Sequence, residues 1–107
     1  MEDHENKKDR VVHAAFGCRT ELLTYARSLL GNFAAAEDAV QEAMIVVMNK
    51  YDQFQEGTSI LAWCRSIVRL EVLRAKRRYH KDMSLAQRLL DDAVDAAFDE
   101  IQMNRQH

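Results

Sequence analysis

Seven basic side chains crowd one short stretch of this sequence. Arg65, Arg69, Arg74, Lys76, Arg77, Arg78 and Lys81 fall within residues 65–81, against the single carboxylate of Glu71. Guanidinium and ammonium groups at this density attract phosphate, so the chemistry to expect is recognition of a polyanion rather than bond making. At about 100° per residue on a helix, Arg65, Arg69 and Lys76 share a narrow arc. Arg74, Arg77 and Arg78 crowd the C-terminal end, where cations also meet the negative pole of the helix dipole. A solvated helix with a basic end would look similar, but three cations along one stripe favour nucleic acid. A second constellation lies upstream, where Asp38, Gln41, Glu42, Ile45 and Asn49 fall on one side of a helix. An acidic-polar stripe with an isoleucine in its middle suits a basic partner that offers an apolar contact. A plain solvated face with one exposed isoleucine accounts for the same spacing.

Other chemistries lack the residues they need. No nucleophile–base pair, glycine-rich phosphate loop or cluster of metal ligands is visible, so no catalytic residue, metal or cofactor is expected. Glu37 and Asp38 point about 100° apart on a helix and make a poor acid–base pair. Cys18 and Cys64 have no CxxC spacing and read as two buried, reduced thiols. The opening "MEDHENKKDR" is charged with no apolar run behind it, so a secretory leader is not expected. The longest strongly apolar run, "AMIVVM", is too short to span a bilayer. A soluble, cytoplasmic protein without a membrane partner is the expectation.

The elements that must carry these side chains are helices. The chain has 107 residues, 48% of them hydrophobic, no proline and three glycines. One all-α domain with a real core follows from that composition. Charge is segregated along it. Residues 1–64 carry six Lys/Arg against ten Asp/Glu, and residues 82–107 carry two against six, so a net charge of −2 hides the basic segment between them. Periodicity predicts a first helix over Val11–Leu30, with Val12, Ala15, Leu22, Leu23, Ala26, Leu29 and Leu30 in one broad stripe. Gly31 is placed for a left-handed cap, and Asn32 can cap a second helix that runs to about Tyr51. The inner face of that helix is Ala36, Val40, Ala43, Val47 and Tyr51, with Met44 at its edge. The polar stretch "DQFQEGTS" separates it from a third helix, Ile60 to Arg78, with Thr58 or Ser59 as N-cap. There Ile60, Trp63, Cys64, Ile67 and Leu70 are expected to face inward. A fourth, acidic helix is predicted from Ser84, with Leu89, Leu90, Ala93, Ala97 and Ile101 along one side.

Taken in order, "AEDAVQEAMIVVMNKYDQFQEGTSILAWCRSIVRLEVLRAKRR" resembles the region-two domain of the extracytoplasmic-function (ECF) sigma factors, exchangeable promoter-recognition subunits of bacterial RNA polymerase. The resemblance covers about residues 21–78. It rests on the ordered set "AED.VQE", "F..GTS..AW" and an arginine-rich helix at these separations. It implies a compact bundle of three main helices over residues 1–81, followed by a helical linker over residues 82–107. It also implies that Asp38, Gln41 and Glu42 match the "D..QE" motif that docks on the coiled coil of the polymerase β′ clamp, with Ile45 and Asn49 on the same face. Phe54, Gly57, Thr58 and Ser59, with Ala62 and Trp63, match the segment that helps open the duplex. In the family, the loop there holds a base flipped from the non-template strand of the minus-ten element. Arg65, Arg69, Lys76, Arg77 and Arg78 match the helix that follows the exposed strand. The family's proteins are not enzymes themselves.

Physical reasoning from the residues agrees with these roles and qualifies two of them. Glycine at 57 permits a close approach or a positive φ. Thr58 and Ser59 are equally suited to capping, and the phase of Trp63 favours packing over base stacking. The pattern also departs from the family. Leu70 stands where ECF sequences commonly have asparagine, and Ile60 where phenylalanine is frequent. Nothing after Leu85 resembles the helix-turn-helix of region four, so the 107 residues are expected to be a piece of a longer sigma factor. A helical protein-interaction module, such as a sigma-like decoy held by an anti-sigma factor and never touching DNA, is the alternative from another class. A duplex-binding repressor is disfavoured, because Trp63 and its core contacts occupy the end of the basic helix that would read bases.

Overall fold

A computed structural model describes residues 2–105, with side chains of residues 6–100; Ile101, expected on the stripe of the fourth helix, lies outside the described side chains. Four α-helices follow one another: α1 (Glu2–Gly17), α2 (Arg19–Leu30), α3 (Phe33–Lys50) and α4 (Ile60–Arg105). A single 3-10 turn, Tyr51–Gln53, closes α3. No strand occurs among the described residues, in keeping with the expected all-α class. The chain divides into two compact units, residues 1–76 and residues 77–107. No helix among the described residues is long and apolar enough to cross a membrane.

The junction between α2 and α3 forms as its residues dictate. Gly31 adopts φ 67°, and its N–H donates to the Arg27 carbonyl at 2.9 Å. The extended Asn32 then accepts from the Ala35 N–H through Oδ1 at 3.0 Å. Glycine meets no penalty in the left-handed region, and asparagine satisfies one of the orphan donors of the new helix.

Three boundaries differ from expectation. The first predicted helix is split at Cys18, whose φ −95° and ψ 3° lie between the helical and extended regions. Gly17 weakens the helix there, and the Cys18 N–H turns back to the Ala15 carbonyl at 3.0 Å. Upstream, α1 begins at Glu2 rather than Val11. Its charged first turns show no apolar stripe and are held by tertiary contacts instead. The Lys7 ammonium donates to the Asp52 carbonyl at 3.1 Å, and Lys8 lies 5.9 Å from the centre of the Tyr51 ring. Downstream, the predicted third and fourth helices are one element, Ile60–Arg105. Neither glycine nor proline occurs between those residues, and Ser84 alone cannot stop a helix.

The core of the first unit draws on every helix. Leu22, Val40, Val47, Cys64, Val68 and Val72 are fully buried, joined by Val11, Ala15, Ala26, Ala36 and Ala43. Each large aliphatic side chain removed from water contributes about 1.5–3 kcal/mol. The inner faces expected for α2 and α3 are largely those observed, although Leu29 is partly exposed and Tyr51 half-buried. In α4 the inner arc is turned. Val68 and Val72 are buried, whereas Leu70 is 57% exposed. Glu71 occupies the arc's centre and is itself buried. A carboxylate there swings a hydropathy-based reading by roughly 60° toward Leu70, although Cys64 and Ile67 are buried as expected. Its compensation is Arg74, whose guanidinium sits 2.6 Å from the Glu71 carboxylate.

Candidate partner and nucleic-acid interface

The outer face of α3 holds the first candidate set. Asp38, Gln41, Glu42 and Asn49 are exposed, Ile45 is 44% exposed, and Met48 extends the patch at its edge. On the opposite side Ala36, Ala39, Val40, Ala43 and Val47 fix the helix to the core. The ion pairs among the described residues are Arg10–Glu56 and Arg74–Glu71, so the carboxylates of Asp38 and Glu42 stand without an internal cation. Two unneutralised carboxylates beside an apolar side chain on one helix face are the chemistry that would suit a basic surface.

The loop between α3 and α4 is a built turn. The Thr58 N–H donates to the Gln55 carbonyl at 3.2 Å. Gly57 sits in the third position of this turn with φ 84°, the type II arrangement that favours glycine. A side chain at 57 would meet nothing within 4 Å, so backbone conformation, not close approach, accounts for the glycine. The Thr58 hydroxyl also donates to the Gln55 carbonyl. The Ser59 hydroxyl accepts from the Ala62 N–H at 3.2 Å, which makes Ser59 the N-cap of α4. Both hydroxyls are therefore engaged within the loop, while the residues from Gln55 to Ser59 remain exposed.

Phe54 requires a correction. Its ring is 8% exposed and packs on Trp63, with centroids 5.4 Å apart and planes tilted by 54°. Turned inward by that pair, it supports the loop from beneath and does not offer a face to nucleic acid. Trp63 is half-buried on the same cluster. Sequence reasoning also missed the brace on the loop's far side, where Arg10 of α1 lies 3.1 Å from Glu56. Pattern alone could not pair residues 46 positions apart.

Along α4 the cations differ in their surroundings. Arg65 lies over the Tyr25 ring at 5.7 Å, which fixes its direction. Arg69 and Lys76 are exposed. A surface hollow of about 510 Å³ is lined by Tyr25, Arg65, Ser66, Arg69, Leu70 and Leu73. A smaller hollow of about 180 Å³ adjoins Lys50, Gln53, Trp63, Leu70, Glu71 and Arg74. Leu70 borders both. In the second unit, Arg77 and Arg78 are exposed. Beneath α4, burial pushes the Cys64 thiol up to about 11, with Cys18 adding to the effect. The thiol therefore stays neutral at physiological pH. Cys18 is only half-buried, contrary to the expectation of two buried thiols, and both cysteines are free.

Comparison with known proteins supplies the family. The family described as Sigma-70 region 2 matches residues 18–82, more than half of the chain. No match was found among curated proteins or solved structures. The matched span holds the α3 stripe, the type II turn and the basic segment of α4, the three features with exposed and organised chemistry. The chain belongs to the sigma-70 region 2 family, a transcription-initiation domain whose partners are RNA polymerase core and promoter DNA.

Proposed function

We propose that residues 1–81 act as the region-two domain of an ECF-type sigma factor, docking on the β′ clamp coiled coil and capturing the opened minus-ten non-template strand. Asp38, Gln41, Glu42, Ile45 and Asn49 form the docking face. The backbone of the 55–59 turn, with Gly57, Thr58 and Ser59 exposed, approaches the displaced bases. Arg65, Arg69 and Lys76, followed by Arg77 and Arg78, meet the phosphates. The acidic remainder, residues 82–107, is a helical linker. This function belongs in the cytoplasm, where the polymerase is.

The observation that carries this reading is the coexistence, in a chain of this family, of two solvent-open surfaces of opposite charge on adjacent helices. A macromolecular machine and an anionic strand can be held at once only if neither surface serves the domain's own packing. The discriminating experiment mixes the 107-residue chain with a β′ coiled-coil fragment and with single-stranded oligonucleotides of minus-ten sequence. Binding of both, with preference for the non-template sequence over its complement, is the expected result. Binding of protein partners without any oligonucleotide affinity would instead identify an interaction module such as a decoy for an anti-sigma factor.

A further inference from the structure

Leu70 is an anomaly on the cationic side of α4. It is 57% exposed, and Leu73, one turn away, is 43% exposed. A lone exposed leucine needs no explanation. These two, however, line a hollow of about 510 Å³ together with the Tyr25 ring, Arg65 and Arg69. Arg65 is drawn over Tyr25, so its guanidinium is held at one wall of a recess whose other polar side chains are Ser66 and Arg69. The second hollow, on the other side of Leu70, sets Trp63 and Ile67 beside Lys50, and its Arg74 is already paired with Glu71.

Apolar floor and cationic walls together define an occupant that is anionic along its backbone and apolar at one edge. A strand of DNA fits, and a leucine on its path restricts which base it favours. Leucine carries neither donor nor acceptor, so it cannot pair with the nitrogen and oxygen atoms of a base edge. The one apolar substituent on a DNA base edge is the C5-methyl group of thymine. We infer that Leu70 is a specificity residue that packs against the methyl group of a thymine in the bound strand, while Arg65 and Arg69 hold the adjoining phosphates. The inference rests on the strand-capture reading given above.

Replacing thymine by deoxyuridine removes the methyl group and leaves base pairing, charge and backbone intact. The test measures binding of the full 107-residue chain to a single-stranded minus-ten oligonucleotide in which each thymine is exchanged in turn. At one position wild-type protein should bind the uracil form about 4-fold more weakly, the value of one buried methyl group. Leu70→Ala, at a site exposed enough to leave the fold unaffected, should bind both forms equally. Indifference of wild-type protein to every exchange overturns the inference, as does undiminished methyl sensitivity in Leu70→Ala. Arg69→Ala separates the two levels. If it leaves oligonucleotide binding unchanged, strand capture itself fails and the inference falls with it. If it weakens binding while no thymine matters, only the assignment of Leu70 is lost.

Discussion

The outer side of α3 and the cationic side of α4 carry opposite charge, and they also differ in how much of that charge the fold consumes. On α3, Asp38 and Glu42 have no internal cation among the described residues, and the helix is anchored entirely by its other face. On α4, Arg74 is tied to the buried Glu71 at 2.6 Å, whereas Arg65 is oriented by Tyr25 without being neutralised. Arg65, Arg69 and Lys76 have no ion pair among the described residues. A count of basic residues therefore overstates what the first unit offers to a strand. The acidic face is left uncompensated, whereas the basic face mixes an ion-paired cation with unpaired ones in a single sequence run.

The largest effect should come from reversing the unconsumed charges. If the docking face meets a basic surface as proposed, Asp38→Arg combined with Glu42→Arg would set like charges against each other, which costs several kcal/mol. Binding of the β′ fragment should fall by at least about 100-fold, about 3 kcal/mol. Stability in urea should change by no more than about 0.5 kcal/mol, because both positions are exposed and have no ion pair among the described residues. An unfolded variant, or one that still binds, would break the proposed division between the faces.

Arg74→Ala probes the other side of the contrast. Removing this guanidinium leaves the Glu71 carboxylate buried without a partner. Loss of a fully buried pair member costs about 3–5 kcal/mol. The Arg74 side chain is 64% exposed, so the ion pair is partly screened and about 2 kcal/mol is expected. Urea denaturation reads this directly. A variant as stable as wild type would return Arg74 to the pool of binding cations.

Arg69→Ala should act only on the ligand. Binding of a single-stranded minus-ten oligonucleotide should weaken by about 1–2 kcal/mol and the salt slope should fall by about 0.7, with stability unchanged. Equal weakening on every sequence is expected, since phosphate contacts carry no base information. A change in base preference would instead move Arg69 from the backbone to a base edge.

How far these roles could be read in the sequence depended on whether neighbours in the chain decide them. The caps at Gly31 and Asn32, the α3 core face and the outward direction of its acidic stripe are consequences of local spacing, and they were legible. So was the choice of glycine at 57 as either close approach or positive φ, although only the fold selects the second. Long-range pairing was not legible. The start of α1 depends on Asp52, Tyr51 and Glu56, which lie far along the chain, and no periodicity in "MEDHENKKDR" announces them. Glu71 misled for a related reason. Hydropathy places a carboxylate outside, and its burial becomes acceptable only once Arg74 reaches it, which displaced the predicted inner arc toward Leu70. Phe54 was expected among the exposed loop residues because the motif marks it as important without saying whether its ring faces outward or packs beneath the loop, as it does on Trp63.

The finest prediction concerns two adjacent hydroxyls that sequence alone treats as interchangeable. Ser59 accepts from the Ala62 N–H and so satisfies an orphan donor at the start of α4. Thr58 donates to a carbonyl that already accepts the Thr58 N–H, so its contribution is redundant with the turn's own backbone bond. Ser59→Ala should therefore cost about 1 kcal/mol of stability, the usual value of an N-cap. Thr58→Ala should cost a few tenths of a kcal/mol, because the turn and Gly57 still close without it. On DNA the order should invert. The Thr58 hydroxyl stands in the exposed turn and keeps its acceptor capacity, so its loss should alter base preference more than the loss of Ser59. Paired urea titrations and oligonucleotide competitions on the two variants read both orders at once. Equal effects in both assays would mean that the turn presents the pair as a unit, and that the backbone around Gly57, not either hydroxyl, faces the strand.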